Sequence, residues 1–124
     1  MTDVSDAALH QLAEQLGEAA RSHHHMLVTA ESCTGGWIAK TVTDIAGSSD
    51  WFDSGMVAYS YEAKQALLGV RPQTLETHGA VSRETVIEMV SGALVSPSLV
   101  ARKRAPRTGT CSVATNFRAN HAWF

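Results

Sequence analysis

Residues 26–36 read MLVTAESCTGG, and this stretch gives the strongest indication of the fold. Its first five residues are apolar or β-branched, which is typical of a strand buried in a parallel sheet. Hydroxyl and thiol side chains follow, and Gly35 and Gly36 then let the backbone turn tightly into a helical pattern. Ligands of α/β proteins bind at the carboxyl ends of such strands. We therefore expect a candidate site between Ser32 and Gly36.

The sequence on either side of this stretch alternates helical and strand patterns. Apolar residues recur at helical spacing from Ser5 to about Ser22. The further predicted elements are a helix from Gly35-Gly36 to Ile45, a strand over Ser54–Ser60, a helix from Tyr61 or Glu62 to Leu68, a short helix beginning at Arg71, and a capped helix over Val86–Val95. This alternation predicts an α/β fold with a mainly parallel sheet.

Length and composition favour one small soluble domain. The chain has 124 residues, of which 44% are hydrophobic and 18% are charged, as in ordinary globular proteins. No apolar run approaches the roughly 18 residues of a membrane helix, and the acidic start is unlike a secretory signal. Two cysteines cannot build a disulfide framework. We expect a cytoplasmic protein that does not bind membranes.

The charges divide the chain into two parts. All 12 acidic residues lie in residues 1–95, whereas residues 96–124 hold five of the ten Lys and Arg. Residues 96–124 show no sustained period of 2 or 3.6, so we expect no regular element after Leu94. We interpret residues 1–95 as the N-terminal part of one domain. Residues 96–124 then form an atypical basic tail that is not native to the fold, or an ordinary basic tail.

Three segments carry candidate chemistry, and each has a simpler structural interpretation. The helix start beyond Thr34 offers N–H groups to a phosphate or an oxyanion, or it is a capped turn. The small residues of Gly47–Ser49 permit close backbone approach, or they form a turn. Lys64, if desolvated, can activate a serine, or it is a solvated helix residue.

Other site types are weaker. The tract His23–His25 suggests a metal site but lacks the further ligands that zinc requires. Cys33 and His78 could form a nucleophile–base pair, although no sequence pattern places them together. The basic residues 102–104 lack a nucleic-acid-binding motif, so we expect no nucleic-acid partner.

Several ordered motifs together resemble one known family. The motifs are TAESCTGG (29–36), AGSS (46–49), WF (51–52), GMVAYS (55–60), Lys64, LGV (68–70) and HGAVS (78–82). Over residues 5–95 they resemble the CinA C-terminal domain family, and within it the stand-alone bacterial amidases. The resemblance implies a three-layer α/β/α sandwich, usually a homodimer. It also implies hydrolysis of nicotinamide mononucleotide to nicotinate mononucleotide and ammonia, without a metal or another cofactor.

The resemblance also assigns roles to individual residues. The catalytic residues are Ser32 as nucleophile, Tyr59 and Lys64 in its deprotonation and in proton transfer, and Ser49 in stabilising the tetrahedral intermediate. The substrate-binding residues are Thr34, Gly35, Gly36 and Ser48. Amide hydrolysis needs such a nucleophile, an oxyanion site and an acid for the leaving amine.

The resemblance ends near Leu94. The family continues with further strands, a Gly-rich loop and a substrate-binding arginine, which residues 96–124 do not match. An α/β domain without those strands has uncovered sheet edges and a smaller core. The alternative expectation is therefore a truncated, poorly stable and catalytically inactive remnant of such an amidase.

Overall fold

A computed structural model describes residues 4–95 and the backbone of 110–115. The elements are α1 (Asp6–Ser22), β1 (Met26–Glu31), α2 (Trp37–Thr43), a 3-10 turn (Ser48–Asp50), β2 (Phe52–Val57), α3 (Tyr61–Leu68), α4 (Pro72–His78), α5 (Arg83–Leu94) and β3 (Thr110–Thr115). None of the helices in the described part is long and apolar enough to cross a membrane.

The strands form one parallel sheet with the order β2-β1-β3. The central strand β1 is buried along its whole length, as its near-continuous apolar run predicts. It pairs from Leu27–Phe52 to Glu31–Val57 on one side and from Met26–Thr110 to Glu31–Thr115 on the other. The predicted α/β fold with a parallel sheet is confirmed.

Alternate residues of β1 face two separate hydrophobic cores. Met26, Val28 and Ala30 pack into a core built from the chain between β2 and the end of α5. Leu27 joins the opposite core, which α1, α2 and the buried Trp51 complete. Because the side chains of a strand alternate between faces, helices cover both sides of the sheet. The arrangement is the expected three-layer α/β/α sandwich.

Serine side chains cap the starts of three of the helices. Ser5, Ser60 and Ser82 each accept a hydrogen bond from the amide three residues later, at the starts of α1, α3 and α5. The prediction for the second strand was shifted: β2 covers Phe52–Val57 rather than Ser54–Ser60. Because Ser60 caps α3, the chain leaves the sheet before it, and the 58–59 backbone becomes a loop.

The expectation of no regular element after Leu94 is wrong. Residues 110–115 form β3, which lies parallel to β1 along the edge opposite β2. This segment holds three β-branched residues among small ones, a weak strand pattern. Hydrogen bonds to the open edge of β1 stabilise this strand, although its local strand propensity is weak. The division at residue 95 and the origin of the basic tail stay predictions.

Helices α3 and α5 approach each other so closely that Gly92 has no room for a side chain. A Cβ atom there would overlap the backbone carbonyl oxygen of Leu68, which no change of rotamer relieves. We expect Gly92→Ala to lower the free energy of unfolding by about 1–3 kcal/mol, despite the higher helix propensity of alanine. Thermal unfolding followed by circular dichroism measures this. The control is Ser91→Ala at the exposed neighbouring position; an unchanged or raised Tm for Gly92→Ala would contradict the packing.

Candidate active site

Ser32 lies in a tight turn between β1 and α2, at the carboxyl edge of the sheet. The Gly35 amide donates to the Ser32 carbonyl at 3.0 Å, and the Trp37 amide donates to the Thr34 carbonyl at 3.0 Å. Gly35 and Gly36 have φ angles of 60° and 92°, a region that glycine adopts without strain. The turn leaves Ser32 only 3% exposed.

Lys64 reaches Ser32 from helix α3. Its Nζ lies 2.9 Å from the Ser32 hydroxyl oxygen, 3.0 Å from the Ala58 carbonyl and 2.9 Å from the Tyr59 carbonyl. The side chain is 1% exposed, although lysine is almost never fully buried unless it is paired. The solvated-helix interpretation of Lys64 is therefore excluded. Its three hydrogen-bond partners bear no charge.

The environment of Lys64 favours the neutral amine. Burial lowers the pKa of the Lys64 ammonium below its ordinary value, because the protein interior solvates the charge poorly. An electrostatic interaction with nearby Cys33 raises this pKa in part. A lysine with a lowered pKa beside a serine hydroxyl is a known arrangement for activating the serine as a nucleophile.

Tyr59 contributes its backbone to this arrangement. The loop after β2 turns the Ala58 and Tyr59 carbonyls towards Lys64, and the Ala58 amide donates to the Glu31 carbonyl at 2.9 Å. The side chain of Tyr59 is 74% exposed. A catalytic role of its phenol stays a prediction.

Ser48 and Ser49 lie where the parallel strands begin, at the opposite end of the strands from Ser32. They precede β2, whose first residue Phe52 pairs with Leu27 at the start of β1. Ser32 follows the last residue of β1, and at about 3.3 Å per residue the strand separates the two edges by roughly 16 Å. Within one chain these serines therefore do not line the Ser32 turn. Their assignments to the oxyanion and the substrate stay predictions that this arrangement does not support.

The helix start beyond Thr34 is already occupied by a side chain. The Ile38 and Ala39 amides donate to the carboxylate of Glu31 at 2.9 and 3.0 Å. The expectation that these N–H groups are open to a phosphate or an oxyanion is wrong, because Glu31 reaches across the turn and accepts them. No role was predicted for Glu31 from the sequence, although a lone carboxylate at the end of an apolar strand is a signal for one.

A surface cavity of about 610 Å³ borders the same turn. Thr34, Gly35 and Gly36 line one side, and residues of α1 and α2, including Leu9 and Lys40, line the rest. Three of the four residues predicted to bind substrate thus line one opening, whereas Ser48, Ser32 and Lys64 do not line it.

The weaker candidate sites do not gain support. Among the described residues, no group of three or more His, Cys, Asp or Glu side chains is placed to hold a metal ion. His23 Nδ1 lies 2.8 Å from the Ala19 carbonyl at the end of α1. His78 lies 3.6 Å from Glu84, and Cys33 is exposed. Residues 102–104 lie outside the described part of the chain.

The Ser32 turn and its flanking elements match a known domain. Residues 9–98 match the family model described as the CinA C-terminal domain. The chain belongs to the CinA C-terminal domain family. The resemblance seen over residues 5–95 is therefore confirmed.

Curated relatives and solved structures agree with this membership. The chain is 56% identical over 91 residues to nicotinamide-nucleotide amidohydrolase PncC of Escherichia coli K12, covering 73% of this chain and 55% of that protein. It is 54% identical over 83 residues to a CinA-like protein of Chloroherpeton thalassium, covering 67% of this chain and 20% of that protein. The chain thus spans about half the length of PncC.

Two crystal structures show the same fold. A CinA superfamily protein from Escherichia coli superposes with a TM-score of 0.76 at 28% identity, covering 94% of this chain and 61% of that one. The competence/damage inducible protein CihA from Agrobacterium tumefaciens superposes with a TM-score of 0.68 at 45% identity, covering 76% of this chain and 56% of that one.

Proposed function

We propose that the chain carries a serine–lysine amidase site that hydrolyses the carboxamide of nicotinamide mononucleotide. The products are nicotinate mononucleotide and ammonia. The observation that carries this proposal is the buried Lys64 Nζ, 2.9 Å from the Ser32 hydroxyl and held by two carbonyls. The substrate is argued from the 56% identity to a protein named nicotinamide-nucleotide amidohydrolase.

The three partners of Lys64 suit a general base. A neutral amine has two N–H groups and one lone pair. The Ala58 and Tyr59 carbonyls accept the two N–H groups, which leaves the lone pair for the Ser32 hydroxyl proton. The two carbonyls thereby fix the direction in which Lys64 accepts a proton.

The reaction then follows the double displacement of a serine amidase. The Ser32 oxygen attacks the carboxamide carbon while its proton moves to Lys64, giving a tetrahedral intermediate. Lys64 returns the proton to the departing nitrogen, which leaves as ammonia, and an ester on Ser32 remains. Water, deprotonated by the same amine, cleaves the ester and releases the carboxylate. This cycle needs no metal or other cofactor.

Some of the other predicted residues receive a role in the proposed reaction, and others do not. We place the nucleotide against the turn of Thr34, Gly35 and Gly36 rather than inside the cavity, because neither Ser32 nor Lys64 lines that cavity. We assign proton transfer to the exposed Tyr59 hydroxyl. Ser48 and Ser49 receive no role within a single chain, because they lie at the opposite edge of the sheet.

The proposal includes a cytoplasmic homodimer, as the family resemblance implies. An apolar groove between α1 and α2 supports association, since it exposes Leu12 and Trp37, each 54% accessible. Sedimentation equilibrium of the purified chain tests the dimer, and a monomer at micromolar concentration would refute it.

Ammonia release tests the proposed reaction. The purified chain is incubated with nicotinamide mononucleotide in the presence of EDTA, and ammonia and nicotinate mononucleotide are quantified together. We expect the two products in equal amounts, and slower turnover of free nicotinamide. No ammonia above the protein-free background would favour the alternative, a chain of this family without turnover. Equal turnover of nicotinamide would contradict recognition of the nucleotide.

The pH dependence of kcat/KM should follow the titration of the Lys64 amine. The ammonium form cannot accept the Ser32 proton, so kcat/KM should fall tenfold per pH unit below the pKa of Lys64 and level off above it. Because burial lowers that pKa from 10.5, the plateau should begin below pH 10.5. Initial rates from pH 6 to 10.5 measure this, and Lys40→Met, at an exposed lysine, should leave the midpoint unchanged. A rate that falls as the pH rises from 6 would contradict a lysine base.

A further inference from the structure

The carboxylate of Glu31, next to Ser32, is fully buried and accepts four hydrogen bonds. Its Oε1 accepts from the Thr34 hydroxyl at 2.8 Å and from the Ile38 amide at 2.9 Å. Its Oε2 accepts from the Thr29 hydroxyl at 3.2 Å and from the Ala39 amide at 3.0 Å. A buried charge is costly unless hydrogen bonds stabilise it, and here every partner is a neutral donor.

These bonds join three pieces of backbone across the Ser32 turn. Thr29 belongs to β1, Thr34 lies in the turn, and Ile38 and Ala39 begin α2. The residue that would ordinarily cap α2 is Gly36, which makes no side-chain capping bond. Glu31 therefore caps the helix from within the strand.

The turn needs such a restraint. Gly35 and Gly36 have no side chains to pack, and both adopt positive φ. Glycine has more backbone freedom than other residues, so two in succession leave the direction of the turn poorly determined. The bonds to Glu31 bracket both glycines, from Thr34 on one side to Ile38 on the other.

We infer that Glu31 is a positioning residue that holds the Ser32 hydroxyl within reach of Lys64. The inference rests on the proposed function, because it assumes that Ser32 is the nucleophile. Glu31 acts through the turn: its carboxylate binds Thr34 and the start of α2, while its neighbour Ser32 meets Lys64.

The reactivity of Ser32 towards a fluorophosphonate tests this inference without the nucleotide. The Ser32 oxygen attacks phosphorus, its proton passes to Lys64 and fluoride leaves, so the rate reports the Ser32–Lys64 geometry alone. Labelling at Ser32 is followed by peptide mass spectrometry in the wild-type chain and in Glu31→Gln. We expect Glu31→Gln to lower the maximal labelling rate by about 10- to 100-fold, the loss typical of a small misplacement of reacting groups. The reagent concentration at half-maximal rate should not change.

A matched control separates positioning from general loss of stability. Glu88 is another carboxylate with several donors, namely the Arg71 amide, the Arg71 Nε and the Thr74 hydroxyl, and it joins α4 to α5. Glu88→Gln should destabilise the chain but leave Ser32 labelling within about twofold of wild type. Circular dichroism establishes that each variant is folded at the assay temperature.

A milder variant decides the matter if Glu31→Gln does not fold. Thr29→Val keeps the carboxylate and the side-chain shape while removing one donor, and it should slow labelling several-fold. If Glu31→Gln folds and its Ser32 is labelled at the wild-type rate, the inference is wrong. If Glu31→Gln does not fold, labelling of Thr29→Val at the wild-type rate would overturn the inference instead. If Ser32 labelling depends on Glu31 but nicotinamide mononucleotide is not hydrolysed, the proposed substrate fails and the positioning role stands.

Discussion

Ser32→Ala is expected to lower kcat for nicotinamide mononucleotide hydrolysis by about 10⁴-fold or more, because it removes the oxygen that forms the ester. A factor of 10⁴ corresponds to about 5.4 kcal/mol of transition-state stabilisation at 1.36 kcal/mol per tenfold. Binding and charge stabilisation elsewhere in the site leave only residual catalysis. The measurement is ammonia release at saturating substrate, together with Tm.

Cys33→Ser is the control for this prediction. Cys33 is the exposed neighbour of Ser32 in the same turn, and its loss should leave kcat within a few-fold of wild type. If Ser32→Ala kept wild-type turnover while Cys33→Ser abolished it, the nucleophile would be the Cys33 thiol and the assignment of Ser32 would be wrong.

Lys64→Met is expected to lower kcat by about 10³-fold, within the range that a general base contributes. Methionine keeps much of the length of lysine and is apolar, so it suits a site that is 1% exposed. It cannot donate to the Ala58 and Tyr59 carbonyls, and each unsatisfied acceptor costs about 1–3 kcal/mol. Relief from burying an amine offsets part of this cost. We therefore expect a large loss of kcat with a modest change in Tm.

Lys40→Met is the control for the removal of a lysine. The Lys40 side chain is 71% exposed and pairs with Asp44 on the surface of α2, and exposed ion pairs contribute little to stability. It should leave both kcat and Tm close to wild type. A Lys64→Met chain that retained more than about a tenth of wild-type kcat would contradict a general base at this position.

The layout of the chain was predictable where the signal is local. The apolar run of β1 indicates a buried strand, and the serine before the last helical pattern indicates the capped start of α5. The Ser32–Lys64 contact joins residues 32 positions apart. The family resemblance predicted it, and the positions of both residues after strands of a parallel sheet, whose carboxyl ends lie on the same side, are consistent with it.

What could not be predicted depends on tertiary structure. Strand β3 forms because it pairs with the open edge of β1. The six residues of β3 do not by themselves indicate this pairing. In the sequence, Glu31 looks like any polar residue at the end of a strand. Only the folded turn shows that its carboxylate accepts hydrogen bonds from two amides of α2. Ser49 follows Ser32 closely in the family motifs, yet it precedes β2 rather than following it, so the sheet carries it to the opposite edge.

Detection of an ester on Ser32 would identify the nucleophile of the reaction. The chain, in excess over nicotinamide mononucleotide, is quenched with acid at successive times, and the peptide that contains Ser32 and Cys33 is sequenced by mass spectrometry. We expect a transient adduct on Ser32 with the mass of the substrate less ammonia, slower to form in Lys64→Met and absent from Ser32→Ala. Two results would contradict Ser32 as the nucleophile. One is accumulation of nicotinate mononucleotide while Ser32 stays unmodified at every time, and the other is an adduct on Cys33.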